Sequence, residues 1–288
     1  MKNSLKLKAN AKINIHLEVT GKRENGYHDI SSIMQSVSLY DEIEIFLNDS
    51  GKITLKTNCA EISGENSAVL AAEKFFGEIG SKSGAAITLK KNIPLSAGLG
   101  GGSADGAAVL CALNSMYDFP VSEKRLAEIA LTIGADVPFC LIGGTKKAEG
   151  LGEILTPVNT ELNCYVLLIK HHKKQSTGEM YKKINPVKNN ISSTEDVINA
   201  LIKNNLYSLK GLCRNDFLNV SDDRLEQTEI CNLLYKNGAL LANLSGSGPT
   251  VFGLFENKPA DEFLNELKSK YKEVYLCKTE KSGIMFDL

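Results

Sequence analysis

Pro94-Leu95-Ser96-Ala97-Gly98-Leu99-Gly100-Gly101-Gly102-Ser103-Ala104-Asp105-Gly106-Ala107-Ala108 is a glycine cluster that runs from an expected strand straight into an alanine-rich apolar pattern. Glycines admit backbone conformations closed to other residues and let a ligand approach the main chain. The free N–H groups and positive dipole end of the helix that follows favour an anion. The segment therefore reads as a phosphate cradle. A flexible connector is the plainer alternative, but a linker is not expected to feed directly into a helical apolar repeat.

Two common phosphate motifs are excluded. Neither Gly21-Lys22 nor Gly51-Lys52 is followed by Ser or Thr, so there is no G-x-x-x-x-G-K-[ST]. The dinucleotide pattern G-x-G-x-x-G, counted from Gly98, ends on Ser103 instead of glycine. Some other class of phosphate-binding loop is needed.

Outward from the cluster, the pattern before it is sheet-rich. Ile13, Ile15, Leu17 and Val19 alternate with Asn14, His16 and Glu18, the period of a half-buried strand whose polar face is free to line a cleft. Strands are also expected over Val37–Leu47, Lys52–Thr57 and Ala85–Lys91. Helices are expected over Ser67–Ile79, between Asn66 and Gly80, and over Glu123–Ile133, between Ser122 and Gly134. Beyond Pro157 come a strand at Tyr165–Ile169 and a polar stretch from Lys170 to Ser193. Helices at Glu195–Lys203 and Asp223–Asn237 follow, then strands at Ala239–Leu244 and Thr250–Glu256, a helix at Ala260–Tyr271 and a strand at Val274–Lys278. Strands and helices without regular βαβ spacing predict an α+β protein. Its 288 residues divide into two domains, 1–160 and 161–288.

Composition narrows the functional classes. With 43% hydrophobic residues, 23% charged and a net charge of -1, there is no basic excess for nucleic acid. Lys2, Lys6 and Lys8 interrupt the start, unlike a secretory signal, and no apolar run approaches the roughly 20 residues of a membrane span, so a cytoplasmic protein is expected. Seven cysteines stand singly with no CxxC, as buried free thiols would. The His171-His172 pair sits among lysines with no partner at metal spacing, so no structural metal is expected. Oligomeric state is not encoded in any of these patterns.

Three segments together carry a resemblance. They are Ala9-Asn10-Ala11-Lys12-Ile13-Asn14, the cluster at Pro94–Ala104, and Leu244-Ser245-Gly246-Ser247-Gly248-Pro249-Thr250-Val251-Phe252. In this order they resemble the motifs of the GHMP kinases, the superfamily of galactose, homoserine, mevalonate and phosphomevalonate kinases. Gly26-Tyr27-His28, Gly134-Ala135-Asp136-Val137-Pro138-Phe139-Cys140, Gly143-Gly144 and Glu149-Gly150-Leu151-Gly152-Glu153 look like the branch that phosphorylates the 2-hydroxyl of 4-diphosphocytidyl-2-C-methyl-D-erythritol, on the non-mevalonate route to isoprenoids. The resemblance implies a two-domain GHMP kinase fold, with mixed sheets packed against helices and the active site in a cleft between the domains. ATP is the implied phosphoryl donor, and the implied partner is a small molecule carrying a cytidine diphosphate group.

By residue, the resemblance implies that Pro94, Leu95, Ser96, Ala97, Gly98, Leu99, Gly100, Gly101, Gly102, Ser103 and Ala104 hold the nucleotide. Lys12 and Asp136 are the implied catalytic pair, with the carboxylate as base and the ammonium offsetting charge. Read without the family, Asp136 before Val137-Pro138 is a helix cap and Lys12 a solvated lysine. Substrate contacts are implied for Asn14, His28 at the cytosine edge, Tyr27 and Tyr181 stacking on the base, Thr177, and Gly246 with Ser247. Without the family both tyrosines are packing residues. Mg2+ is expected for phosphoryl transfer, with Ser103 as the candidate side-chain ligand. Two departures stand out: Ala104 replaces a polar residue of the family's loop, and Lys170-His171-His172-Lys173-Lys174 replaces a proline-containing stretch. A different GHMP kinase, for homoserine, mevalonate or a sugar, and a non-catalytic nucleotide sensor are the competing readings.

Overall fold

The computed structural model describes residues 3–62, 66–172, 175–185 and 193–287. The polar stretch read between Lys170 and Ser193 thus lies partly outside the described residues. Where it is described, it contains a helix, α5 (Thr177–Lys183), started by the Ser176 hydroxyl, which accepts from the Glu179 N–H.

The structure is built on two long antiparallel strands, β1 (Ser4–Lys22) and β2 (His28–Asn48), paired along almost their whole length. The alternation in β1 predicts one buried face. Instead, every residue from Ala9 to Leu17 is buried, polar ones included. Register shifts at Asn10/Ala11 and Asn14/His16 mark bulges that twist the strand, so that it passes from one core into the next. Leu7 and Ala9 belong to a first core, Ala11, Ile13 and Ile15 to a second, and Leu17 and Val19 to a third. β2 starts at His28, well before the expected Val37, because its early residues pair with this extended β1.

A parallel pair, β3 (Ile53–Thr57) and β4 (Gly84–Lys90), is joined by α1 (Ser67–Glu78), and β4 pairs antiparallel with β2. Asn66 caps α1, accepting from the N–H groups of Ala68 and Val69 as expected. The glycine cluster then enters α2 (Gly101–Met116), which is buried on most sides in the first core. Its alanines and Gly106 allow close approach, with Gly106 packed near Ser67 at the start of α1. Then come α3 (Glu123–Leu131), α4 (Val137–Ile142), and the hairpin of β5 (Thr145–Gly150) and β6 (Ile154–Pro157), with β5 on the same edge of β2 as β4, opposite β1.

The later chain supplies β7 (Tyr165–Lys170), then α6 (Thr194–Ile202), α7 (Leu209–Leu212), α8 (Asp216–Val220) and α9 (Arg224–Lys236). They are followed by β8 (Leu241–Leu244), β9 (Thr250–Phe255), α10 (Asp261–Lys270), β10 (Glu273–Glu280) and β11 (Ile284–Phe286). Strand order is β11-β1-β2-β10-β7-β9-β8, with β4 and β5 attached at β2. β10 runs alongside β7 from Glu273 to Lys278 and then pairs with β2 at Thr279 and Glu280. Sequence periodicity does not anticipate β5, β6, β11, α5 or α8, all short and mostly polar or half-exposed. No helix among the described residues is long and apolar enough to cross a membrane.

Candidate active site

A cleft of about 1000 Å³ brings the first strand, the glycine cluster, the start of α4, helix α5 and the turn between β8 and β9 together. That lies at the upper end of the roughly 300–1,000 Å³ usual for ligand sites, as a cleft for two substrates requires.

Lys12 sits at its centre. The side chain is only 5% exposed, and its Nζ stands 3.1 Å from Asp136 Oδ2. Nζ also donates to Asn14 Oδ1 (2.8 Å), Asn14 Nδ2 donates to Ser32 Oγ (2.9 Å), and Ser32 donates to the His16 carbonyl (2.6 Å). This relay holds the ammonium in place. The Lys12 main-chain N–H donates to the Leu99 carbonyl, tying strand to loop. Asp136 stands at the N-cap position of α4, yet its side chain makes no capping hydrogen bond. The carboxylate turns to Lys12 and is 35% exposed to the cleft.

Both glycine turns close around this pair. Gly98 and Gly100 have φ of +77° and +69°. A Cβ on Gly98 would lie 2.3 Å from the Ser245 carbonyl oxygen, and one on Gly100 would lie 2.9 Å from Lys12 Cγ. The first turn therefore packs main chain to main chain against the second, while the Lys12 stem lies across Gly100. Ser245 Oγ donates to the Gly98 carbonyl (2.9 Å). With Gly100 as its N-cap, α2 has no side-chain cap, so the N-terminal amides of this 16-residue helix remain available for an anion.

The residues expected to recognise the base also line the cleft. His28 stacks on Tyr181, with centroids 4.8 Å apart and planes 13° from parallel, and Phe217 meets Tyr181 edge-on at 4.8 Å. Burial, with Lys22 nearby, lowers the His28 pKa, leaving a neutral imidazole with one donor and one acceptor. Burial, reinforced by the Asp136 charge, pushes the Tyr181 phenol up to about 12. Tyr27 stands at the rim, 61% exposed, and the ring lying against Tyr181 is that of His28. Thr177 and Ser247 share a hydrogen bond of 2.8 Å, linking α5 to the second glycine turn beside Gly246.

The cleft is lined by all the residues singled out in the sequence except Leu99 and Ala104, whose side chains are buried in the second and first cores. Ala104 is thus a packing residue on the inner face of α2. Sequence reasoning missed Phe217, and also Asn215, whose Nδ2 donates to the Leu244 and Gly246 carbonyls and so supports the second turn. It also missed Lys22, Lys91 and Lys182. With Lys12 these make four lysines against one carboxylate, Asp136, among the described lining residues. Lys91 Nζ is held by Asp41 and by Asp105 Oδ2 (2.7 Å), all three buried. Burial opposes the Lys91 charge, but the two carboxylates raise its pKa. Asp105 is pushed up to about 7, first by burial and then by Asp41, against the pull of Lys91.

A cation-lined cleft, an uncapped helix start and a lysine–aspartate pair between two glycine turns define a small-molecule kinase of the GHMP class. Residues 66–144 match the model of the GHMP kinases N terminal domain, and residues 224–273 that of the GHMP kinases C terminal. A 4-diphosphocytidyl-2-C-methyl-D-erythritol kinase of Alkaliphilus oremlandii is 41% identical over 283 residues, covering 96% of this chain and 97% of that protein. The Clostridium tetani protein of the same name is 39% identical, covering 96% and 100%. A crystal structure of a 4-(cytidine 5'-diphospho)-2C-methyl-D-erythritol kinase superposes with a TM-score of 0.79 at 28% identity, covering 96% of this chain and 99% of that one. The chain belongs to the 4-diphosphocytidyl-2-C-methyl-D-erythritol kinase family of the GHMP kinases.

Proposed function

We propose that this protein transfers the γ-phosphoryl group of ATP to the 2-hydroxyl of 4-diphosphocytidyl-2-C-methyl-D-erythritol. The observation that carries the reading is the Lys12–Asp136 pair, 3.1 Å apart between the two glycine turns. Asp136 orients the substrate hydroxyl and receives its proton as the oxygen–phosphorus bond forms. The bond from the γ-phosphorus to the bridging oxygen breaks, and ADP leaves. Lys12 offsets the charge that grows on the attacking oxygen and the transferring group. Asn14 keeps the ammonium at that point.

The main chain of Gly98–Ser103 and the amide end of α2 receive the nucleotide's phosphates, as an uncapped helix start behind a glycine turn suits an anion. Ser103, whose hydroxyl lines the cleft, would hold Mg2+, which would supply further neutralisation of the phosphate charge. His28 offers its donor and acceptor to the pyrimidine edge, while Tyr27 and Tyr181 supply ring faces. Thr177, Gly246 and Ser247 border the substrate's other end. The reaction belongs in the cytoplasm, a reading supported by seven free thiols, as a reducing compartment maintains.

The test is substrate competition. Purified protein with ATP and Mg2+ should phosphorylate the cytidine diphosphate substrate and leave the uncytidylated methylerythritol phosphate untouched. Equal rates on both would overturn base recognition.

A further inference from the structure

Away from the cleft, the residues that directly follow β7 carry a cluster of ligating side chains. His171 and His172 follow β7 directly, and Glu226 projects from the first turn of α9. Their donor atoms all lie within 4.8 Å of one another. His172 Nε2 is 2.7 Å from Glu226 Oε2, and the two imidazoles meet edge to face at 72°, with centroids 4.8 Å apart. His171 is the telling member: both its ring nitrogens are buried and neither has a hydrogen-bond partner among the described residues. Buried polar atoms are nearly always satisfied, so an orphaned imidazole beside a second imidazole and a carboxylate calls for a missing partner. Lys170 leaves the cluster to pair with Glu273 at 2.8 Å.

We propose that His171, His172 and Glu226 bind a divalent transition-metal ion, Zn2+ by the character of the ligands, at a structural site separate from the kinase cleft. Two imidazoles and one carboxylate suit Zn2+, whereas Mg2+ prefers an all-oxygen shell. At Zn–N distances of about 2.0–2.1 Å, tetrahedral donors stand about 3.3 Å apart. Small side-chain rotations therefore close the cluster around an ion, with water in the fourth position. The ion clips the end of β7 to the start of α9. The same junction is crossed by Gln175, which donates to Asp223 (3.1 Å) and accepts from the Asp222 N–H (3.2 Å) just before α5. Bound Zn2+ therefore braces the β7–α9 junction on which Gln175 is held, just before the helix bearing Thr177 and Tyr181.

The experiment is calorimetric titration of the EDTA-dialysed full-length protein with Zn2+, with thermal unfolding measured in parallel. Saturable binding of one ion per chain is expected, with a rise in Tm. Glu226→Gln and His172→Gln, both at exposed side chains, should each weaken binding about tenfold or more and abolish the rise in Tm. Both should leave Tm in EDTA near that of the parent. The proposal is overturned if the parent shows no saturable binding, or if both variants bind Zn2+ as tightly as the parent, which would place the ion on cysteines elsewhere.

Discussion

Lys12 and Lys91 are both buried lysines that line one cleft and pair with aspartate, yet their surroundings divide the work of the site. Lys12 faces a single carboxylate that remains open to ligand, and a neutral amide, Asn14, steadies it. Lys91 is enclosed by two buried carboxylates. One of them, Asp41, also accepts from the N–H groups of Asn92 and Ile93, at 2.6 and 2.8 Å. The Lys91 cluster joins β2, the end of β4 and α2, and so fixes both ends of the glycine loop. The Lys12 pair opens onto the cleft through Asp136. A buried ion pair with a spare, accessible carboxylate edge suits chemistry, whereas one with no free edge serves as architecture.

The largest effect expected is at the open pair. Asp136→Asn should lower turnover by roughly 10²- to 10⁴-fold while ATP affinity stays close to the parent's. Steady-state kinetics beside nucleotide titration checks this, and an unchanged rate removes Asp136 from the mechanism. The closed cluster should respond in the opposite currency. Lys91→Met leaves two carboxylates without their cation and should cost about 3–5 kcal/mol of stability, seen in urea unfolding of the free protein. Adding Asp105→Asn should restore part of that loss. A fully stable Lys91→Met would show that the cluster is not architectural.

A third buried titratable group tests the same distinction through pH. His16, on the strand that carries Lys12, is lowered from 6.5 to about 4 by burial and then by the Arg214 charge. Its folded value lies below its unfolded one, so the unfolded chain takes up the proton first as pH falls. Stability should therefore drop by roughly 3 kcal/mol between pH 6.5 and 4. His16→Gln should flatten that part of the stability–pH curve, and an unaltered slope would assign acid unfolding to other groups. The smallest effect belongs to recognition. Tyr181→Ala should weaken substrate binding by about 1–3 kcal/mol with ATP binding unchanged. A fall in turnover without a rise in KM would deny it a stacking role.

The glycine loop is legible in the sequence because its residues are contiguous and its backbone is the functional group. The caps of α1 and α3 are legible for the same reason: Asn66 and Ser122 act within one turn, on the N–H groups of Val69 and Arg125. Lys91 is not, since its partners lie 50 and 14 residues away, and the pair Lys90-Lys91 reads as a solvated strand end. Glu226 is 54 residues from His172, so spacing rules for metal ligands could not find it. The buried polar face of β1 escaped as well, because periodicity reports one covered face and cannot register a strand that threads three cores. Lys12, Asp136 and Tyr181 were named only through family resemblance. Taken alone, each has an ordinary structural reading.

The strand that presents Lys12 has one further neighbour. Asn10 bonds residues 272 and 273 positions later, its side chain donating to the Ser282 carbonyl and its main chain to that of Gly283, and β11 then pairs with Leu7–Ala9. A ribosome completes Lys12, the glycine loop and Asp136 when about half of this sequence has been translated. At that stage the strand has neither this edge partner nor the second glycine turn behind Gly98. A nascent chain of that length therefore holds Lys12 and Asp136 without the edge strand and second turn that surround them in the folded protein.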